Sequence, residues 1–288
     1  MRRLAGLVLA LVTSTAWGET PDCPIPGDWE FVPGFSDEFN GNKLDDAKWW
    51  DFNPMWVGRR PGLYVRDNVA VKDGMLQISA TKMPESMETV ENHVRGFHTF
   101  ATGAVKSKKR VKYGYFEARC KAMPSHCSSA FWFYDPLDPP KKYQKGSHSE
   151  EIDVFEVFGK PDKLKNVYHM TIHRQETPYV EATVRLNNVV KGHKWTAPFS
   201  FCEDFHTFGF LWTADRMTWY VDGAQRWSVP NEHHKTALTV NFDSETFPRW
   251  SGMPTVEELP ATFYVDYLRC WQLPEMKQRT PPTSNRLR

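Results

Sequence analysis

Two stretches of this chain carry the same folding instruction. Asn68-Val-Ala-Val-Lys-Asp-Gly-Met-Leu-Gln-Ile-Ser79 and Met217-Thr-Trp-Tyr-Val-Asp-Gly-Ala-Gln-Arg-Trp-Ser228 both alternate apolar and polar residues around a central Asp-Gly. A period of two sends successive side chains to opposite faces of a strand. Asp-Gly tolerates the two positive φ angles that a two-residue hairpin turn demands. Each stretch therefore reads as a β-hairpin, turning at Asp73-Gly74 and at Asp222-Gly223. The same alternation runs through Tyr113 to Met123, Val167 to His173 and Thr262 to Trp271. No amphipathic helical pattern exceeds two or three turns, and 21 prolines and 17 glycines punctuate the runs. Many short strands without alternating helices predict an all-β antiparallel two-sheet sandwich. Twelve Trp, ten Tyr and nineteen Phe fit that class, and they also offer rings for stacking on a ligand.

The N-terminus reads differently. Arg2 and Arg3 precede a short apolar run, Leu4 to Val12, and Ala16-Trp17-Gly18 supplies small residues at a cleavage site. The run is too short to cross a bilayer, which takes about 20 residues. Residues 1–18 are thus expected to be a signal peptide cleaved near Gly18, making the protein secreted, extracellular or periplasmic. Cleavage removes two arginines and no acid, leaving a net charge of −1. That balance argues against a nucleic-acid partner, and no membrane association is expected. Residues 19–274 form one expected domain, 275–288 a polar C-terminal tail, and the protein is expected to be monomeric. Export permits disulfides among Cys23, Cys120, Cys127, Cys202 and Cys270, and Cys120 and Cys127 flank a turn that a bridge would close, but buried cysteines with at most one or two bridges are expected. None of the cysteines has zinc spacing.

The chemistry concentrates in Ser149-Glu-Glu-Ile-Asp-Val-Phe-Glu-Val-Phe-Gly159. Glu151 and Asp153 share one strand face, and Ile152 and Val154 take the other. Strict alternation would bury Glu156 with the apolar set, which is costly for a carboxylate. One extra residue between Asp153 and Glu156, a β-bulge, returns Glu156 to the polar face. Three acids on one short track cannot all remain ionised near neutral pH. An ionised carboxylate beside a protonated one, about 5–5.5 Å apart, is what double-displacement glycoside hydrolysis needs. A calcium site would instead gather its ligands from a flexible loop, and the interleaved apolar residues here argue for a strand.

At this point the sequence resembles glycoside hydrolase family 16, whose E-x-D-x-x-E hallmark matches Glu151-Ile-Asp153-Val-Phe-Glu156. Further family-like stretches are Phe35-Ser-Asp-Glu-Phe-Asn-Gly41, Gly114-Tyr-Phe-Glu-Ala-Arg119, Ser129-Ala-Phe-Trp-Phe133, Phe205-His-Thr-Phe-Gly-Phe-Leu-Trp212 and Phe263-Tyr-Val-Asp-Tyr-Leu-Arg269. The resemblance implies a jelly-roll sandwich with an open cleft suited to internal attack on a polymer. It makes Glu151 the nucleophile, Glu156 the general acid/base and Asp153 the electrostatic helper between them. It implies no cofactor for catalysis, and a structural calcium on the convex side whose ligands the sequence does not assign. Trp56-Val-Gly-Arg-Arg-Pro-Gly-Leu-Tyr64 resembles the red-algal galactan branches, so a β-agarase- or carrageenase-like galactanase acting on agar, porphyran or carrageenan is expected. The alternatives are a laminarinase-type β-1,3-glucanase and a non-catalytic carbohydrate-recognition protein on the same sandwich. The two glutamates argue against the latter.

Parity on the Phe-Trp-Phe-Tyr strand pairs Trp132 with Tyr134 on one face and Phe131 with Phe133 on the other. Trp132 is the expected sugar platform. Trp56, Arg59 and Arg60 lie in a Gly/Pro-containing loop that would form a cleft rim, arginine being suited to bidentate contact with anions. His169 and His173 face the same way on a strand, and His173 is the candidate substrate contact. The basic run Lys106 to Lys112 reads as a solvated strand edge.

Overall fold

A computed structural model describes residues 20–135, 148–176 and 189–277, so the expected signal peptide lies outside the described residues. Seventeen strands run in chain order among them: β1 Glu30–Phe31, β2 Trp49–Trp50, β3 Leu63–Tyr64, β4 Val69–Lys72, β5 Met75–Lys82, β6 Phe100–Thr102, β7 Ala104–Val111, β8 Gly114–Lys121, β9 Ser129–Asp135, β10 His148–Val157, β11 Val167–Glu176, β12 Val189–Thr196, β13 His206–Trp212, β14 Arg216–Val221, β15 Ala224–Pro230, β16 Leu238–Asp243 and β17 Ala261–Gln272. They form two sheets, as the alternation predicts. One is ordered β15-β14-β13-β8-β17-β5-β6-β3, with β1 on β17 and β4 on β5; the other is β12-β11-β10-β9-β16-β7-β2. Every pairing is antiparallel except β3 with β6. Both predicted hairpins form, with φ of 54° and 74° at Asp73 and Gly74 and of 49° and 74° at Asp222 and Gly223. Glycine fills the second turn position because positive φ there costs it nothing sterically.

Between the sheets lies one large aromatic core. Phe131 stacks on Phe242 at 4.8 Å within the second sheet, and Phe155 meets Phe208 of the first sheet at 4.3 Å. Residues that face this core from β9, β10 and β16 leave their alternates on the opposite, concave face of the second sheet. That division sets up the site.

The cysteines are free and largely buried, in keeping with the expectation, and two other expectations change. All five cysteines are free thiols, so the Cys120–Cys127 bridge does not form; Cys120, Cys127 and Cys270 are core residues. The tail does not begin at 275, because Pro274–Lys277 forms a short helix with Met276 buried and Lys277 paired with Glu30. The basic run is an edge only in part: Lys109 and Arg110 are exposed, but β2 pairs with β7 at Lys106 and Ser107. Strand β7 lies between β16 and β2, and Lys106 is only 3% exposed, its ammonium donating to Thr239 and Asn241.

Candidate active site

The bulge appears where the sequence demands it. Asp153 pairs with Trp132 and Phe155 with Phe131, leaving Val154 as the extra residue against β9. Against β11 the register jumps between Asp153 and Glu156. Ile152, Val154 and Phe155 are all buried in the core, so two consecutive residues point inward and the phase resets. Glu151, Asp153 and Glu156 then line one cavity of about 610 Å³ on the concave face.

Each of these three residues is also held by its backbone carbonyl. The Trp219 indole N–H, reaching across from β14, donates to the Asp153 carbonyl at 3.2 Å. His234 Nε2 lies 3.1 Å from the Glu151 carbonyl and 3.0 Å from that of His173. His169 Nδ1 lies 3.1 Å from the Glu156 carbonyl. A carbonyl only accepts, so these ring nitrogens are the protonated ones. Burial lowers the pKa of both histidines, His169 to about 4, and keeps them neutral donors.

Five carboxylates crowd the cavity, since Asp243 and Glu245 join the three on β10. Burial, then the Asp153 charge, pushes Glu151 up to about 8, against the opposing pull of His173 and Arg59. Burial and the Asp243 charge raise Asp153 to about 8 as well. Glu156 is raised well above the ordinary carboxylate range, first by burial and then by Asp153 and Glu151. Burial and mutual repulsion thus raise both glutamates above the ordinary carboxylate range. Carboxyls held protonated in this way can serve as proton donors near neutral pH.

The residues expected from sequence are distributed as follows. Trp132 lines the cavity, and its indole N–H donates to Asp243 at 2.9 Å; Phe131 and Phe133 are in the core, as parity predicts. His173 points Nε2 at Asp153 Oδ2, 3.2 Å away, and lies 3.8 Å from Glu151. It therefore touches the acids themselves. Trp56 and Arg59 line the cavity, but Arg60 does not; its guanidinium lies 5.7 Å from the Phe97 ring.

Glu245, Asp243 and Tyr64 were not anticipated. Glu245, 6% exposed, accepts the Trp56 indole N–H, Arg59 Nε–H at 2.9 Å and the Tyr64 hydroxyl at 3.1 Å. Arg59 also lies over the Phe247 ring at 4.1 Å, and the Thr246 hydroxyl donates to the Arg59 carbonyl at 2.7 Å. One short segment after β16 thereby pins the whole rim loop. Its signal was in the sequence: Asn241-Phe242-Asp243 alternates polar, apolar, polar, as the strand of Glu151 and Asp153 does.

The structural calcium implied by resemblance finds no carboxylate cluster on the convex face among the described residues. Among the described residues, the one close group of three such His, Cys, Asp or Glu ligands is Glu151, Asp153 and His173, in the cleft. Calcium takes six to eight oxygen ligands, and this set does not fit it.

Residues 29–273 match the family described as "Beta-porphyranase A-D, GH16 domain". The chain belongs to glycoside hydrolase family 16. Within this family of hydrolases, the chain is 28% identical to beta-porphyranase B of Zobellia galactanivorans over 280 residues, covering 90% of each protein. It is also 28% identical to the kappa-carrageenase of Pseudoalteromonas carrageenovora, over 92% of this chain and 70% of that one. The crystal structure of porphyranase B from Zobellia galactanivorans superposes with a TM-score of 0.71 at 27% identity, covering 85% of this chain and 92% of that one. The two-sheet sandwich predicted from the strand pattern, and the jelly roll implied by the family resemblance, are thus the fold.

Proposed function

We propose that this protein is a secreted, retaining endo-β-galactanase that cleaves a red-algal galactan of porphyran type. One observation carries the reading: within a porphyranase-branch domain, the bulge at Val154 brings Glu151, Asp153 and Glu156 onto one face of an open cavity. Glu151, once ionised, attacks the anomeric carbon while Glu156 delivers its proton to the leaving oxygen, giving a glycosyl-enzyme ester. Glu156, now a carboxylate, takes a proton from an incoming water, which opens that ester with net retention. Asp153 sits between them, with His173 on its outer oxygen. The path uses only these side chains.

The porphyran assignment rests on the branch match, and the loop from Trp56 to Tyr64 supplies the wall that would read the polymer. The experiment is reducing-end release from porphyran, agarose, κ-carrageenan, laminarin and lichenan, with Glu151→Gln as control and proton NMR of the newly formed anomer. Release from porphyran with initial β-product supports the reading. Release from laminarin alone removes the galactan assignment and leaves the mechanism. Initial α-product removes the retaining mechanism.

A further inference from the structure

Strand register brings an imidazole to the acids. His173 on β11 stands directly opposite Glu151 on β10, and Asp153 lies two residues further along the same face. Opposite partners on antiparallel strands hold their Cβ atoms about 4.5–5.5 Å apart, close enough for the ring and both carboxylates to meet. His173 Nε2 lies 3.2 Å from Asp153 Oδ2 and 3.8 Å from Glu151 Oε1, and one ligand atom from each residue falls within 4.8 Å of the other two. His234 Nε2 touches the backbone carbonyls of both Glu151 and His173, which ties the two strands at that register. The convergence is thus built into the strand pairing.

Zinc held by nitrogen and oxygen at about 2.0–2.1 Å in a tetrahedron spaces its ligand atoms about 3.4 Å apart. The two distances from His173 bracket that value. One imidazole and two carboxylates leave the fourth position open to water, and a mixed nitrogen and oxygen set favours zinc, copper or nickel over calcium and magnesium. Asp153 gives a second, independent reason to expect a cation. Its side chain is only 7% exposed and lines the cavity, and among the described residues its sole close partner is the His173 ring nitrogen. A buried carboxylate so sparsely compensated gains from a bound cation. Five carboxylates line the cavity, and its guanidinium, Arg59, already donates Nε–H to Glu245. A wall of one sign focuses a field that draws cations in.

We propose that Glu151, Asp153 and His173 bind a divalent transition-metal ion of the zinc class, and that this ion competes with the polysaccharide for the cleft. Binding of the ion rests on the three side chains alone. The competition rests on the proposed function, because a bound ion withholds Glu151 and Asp153 from the sugar. The ion is an inhibitor and takes no part in the reaction.

The test is isothermal titration calorimetry of the protein with zinc chloride, which should report a single ion per chain. Copper should bind more tightly than zinc and manganese more weakly, with calcium and magnesium giving no detectable binding. Losing only an outer partner of a ligand costs metal sites about 10–100-fold in affinity, so losing a ligand in His173→Gln or Glu151→Gln should weaken zinc by at least about tenfold. Circular dichroism screens these variants for folding, and Asp153→Asn replaces any that fails. A wild type that binds no zinc, a preference for calcium over zinc, or zinc affinity within about tenfold of wild type in either folded variant overturns the site. On whichever polymer is cleaved, zinc should raise KM with kcat unchanged, and a chelator should reverse the effect. A fall in kcat at constant KM overturns the competition. A wild type that cleaves none of the polymers removes the functional reading, and calorimetry still decides the ion site.

Discussion

Replacing Glu151, the proposed nucleophile, should stabilise this protein, and more so as pH rises. In the unfolded chain Glu151 ionises at its ordinary pKa of 4.5, whereas in the folded cavity it does so at about 8. Between those values the native state binds a proton that the unfolded state has released, so wild-type stability falls as pH increases. Below the lower value both states are protonated and nothing is lost. One retained proton corresponds to about 1.4 kcal/mol per pH unit, so the full interval sets a ceiling of about 5 kcal/mol. The Glu151 side chain is 28% exposed and shares its repulsion with Asp153, which reduces the realised effect to about 2 kcal/mol. Gln keeps the shape and cannot ionise. In a domain of this size about 1 kcal/mol moves the midpoint by about 2–4 °C, so Glu151→Gln should melt about 4–8 °C above wild type at pH 8. At pH 5, close to the lower value, the gap should shrink to about 1 °C. The measurement is thermal unfolding of both proteins by circular dichroism from pH 5 to pH 8. A difference that stays flat across that range, or a wild type that is the more stable at pH 8, would refute the account of Glu151 as a carboxylate strained by burial.

Three further outcomes follow from the same geometry. His173→Gln removes a group whose charge lowers the Glu151 pKa, so the ascending limb of kcat/KM should move to higher pH; an unmoved limb denies the contact a role. Glu245→Gln turns a carboxylate oxygen toward an amide at Arg59 and should raise KM on polymer about tenfold, in line with about 1.5–3 kcal/mol for a hydrogen bond to a charged group. Steady-state kinetics showing KM unchanged would mean the rim loop holds without it. Trp219→Phe keeps a ring in the core but leaves the Asp153 carbonyl without its donor; it should lower stability by about 1–3 kcal/mol in denaturant unfolding and lower kcat as well. A stability loss with wild-type kcat would confine Trp219 to packing.

Local features of this fold were legible, and long-range ones were not. Parity alone distinguished Trp132 from Phe131 and demanded a bulge before Glu156, because both are properties of one strand and its two faces. Asp-Gly located two hairpins for the same reason. Glu245 is a different case, lying 186 residues from Arg59 in sequence and meeting it only because β16 is inserted between β9 and β7. Lys106 was misread by the same ignorance of neighbours. A lysine on a strand looks like an edge device until another strand, β2, is known to flank it. Arg60 and Arg59 were indistinguishable by residue type, and the loop's path sent one to Glu245 and the other to Phe97.

The bulge explains why the cavity depends on the opposite sheet. Inserting a residue recovers Glu156 for the polar face, but it also interrupts the ladder between Asp153 and Glu156 on the β11 side. A buried carbonyl left without a partner costs about 1–3 kcal/mol, so the interruption must be satisfied from elsewhere. Trp219 supplies the donor at Asp153 from β14 across the core, while His169 on β11 supplies Glu156 and His234, in the connection from β15 to β16, supplies Glu151. The three acids repel one another, and mobile carboxylates would relieve that repulsion by swinging toward solvent. Fixing the backbone of each acid with a ring N–H opposes that escape. The elevated pKa values of the cavity and the aromatic donors beneath it are therefore two sides of one arrangement, and removing a single indole N–H should be felt in the chemistry as well as in the fold.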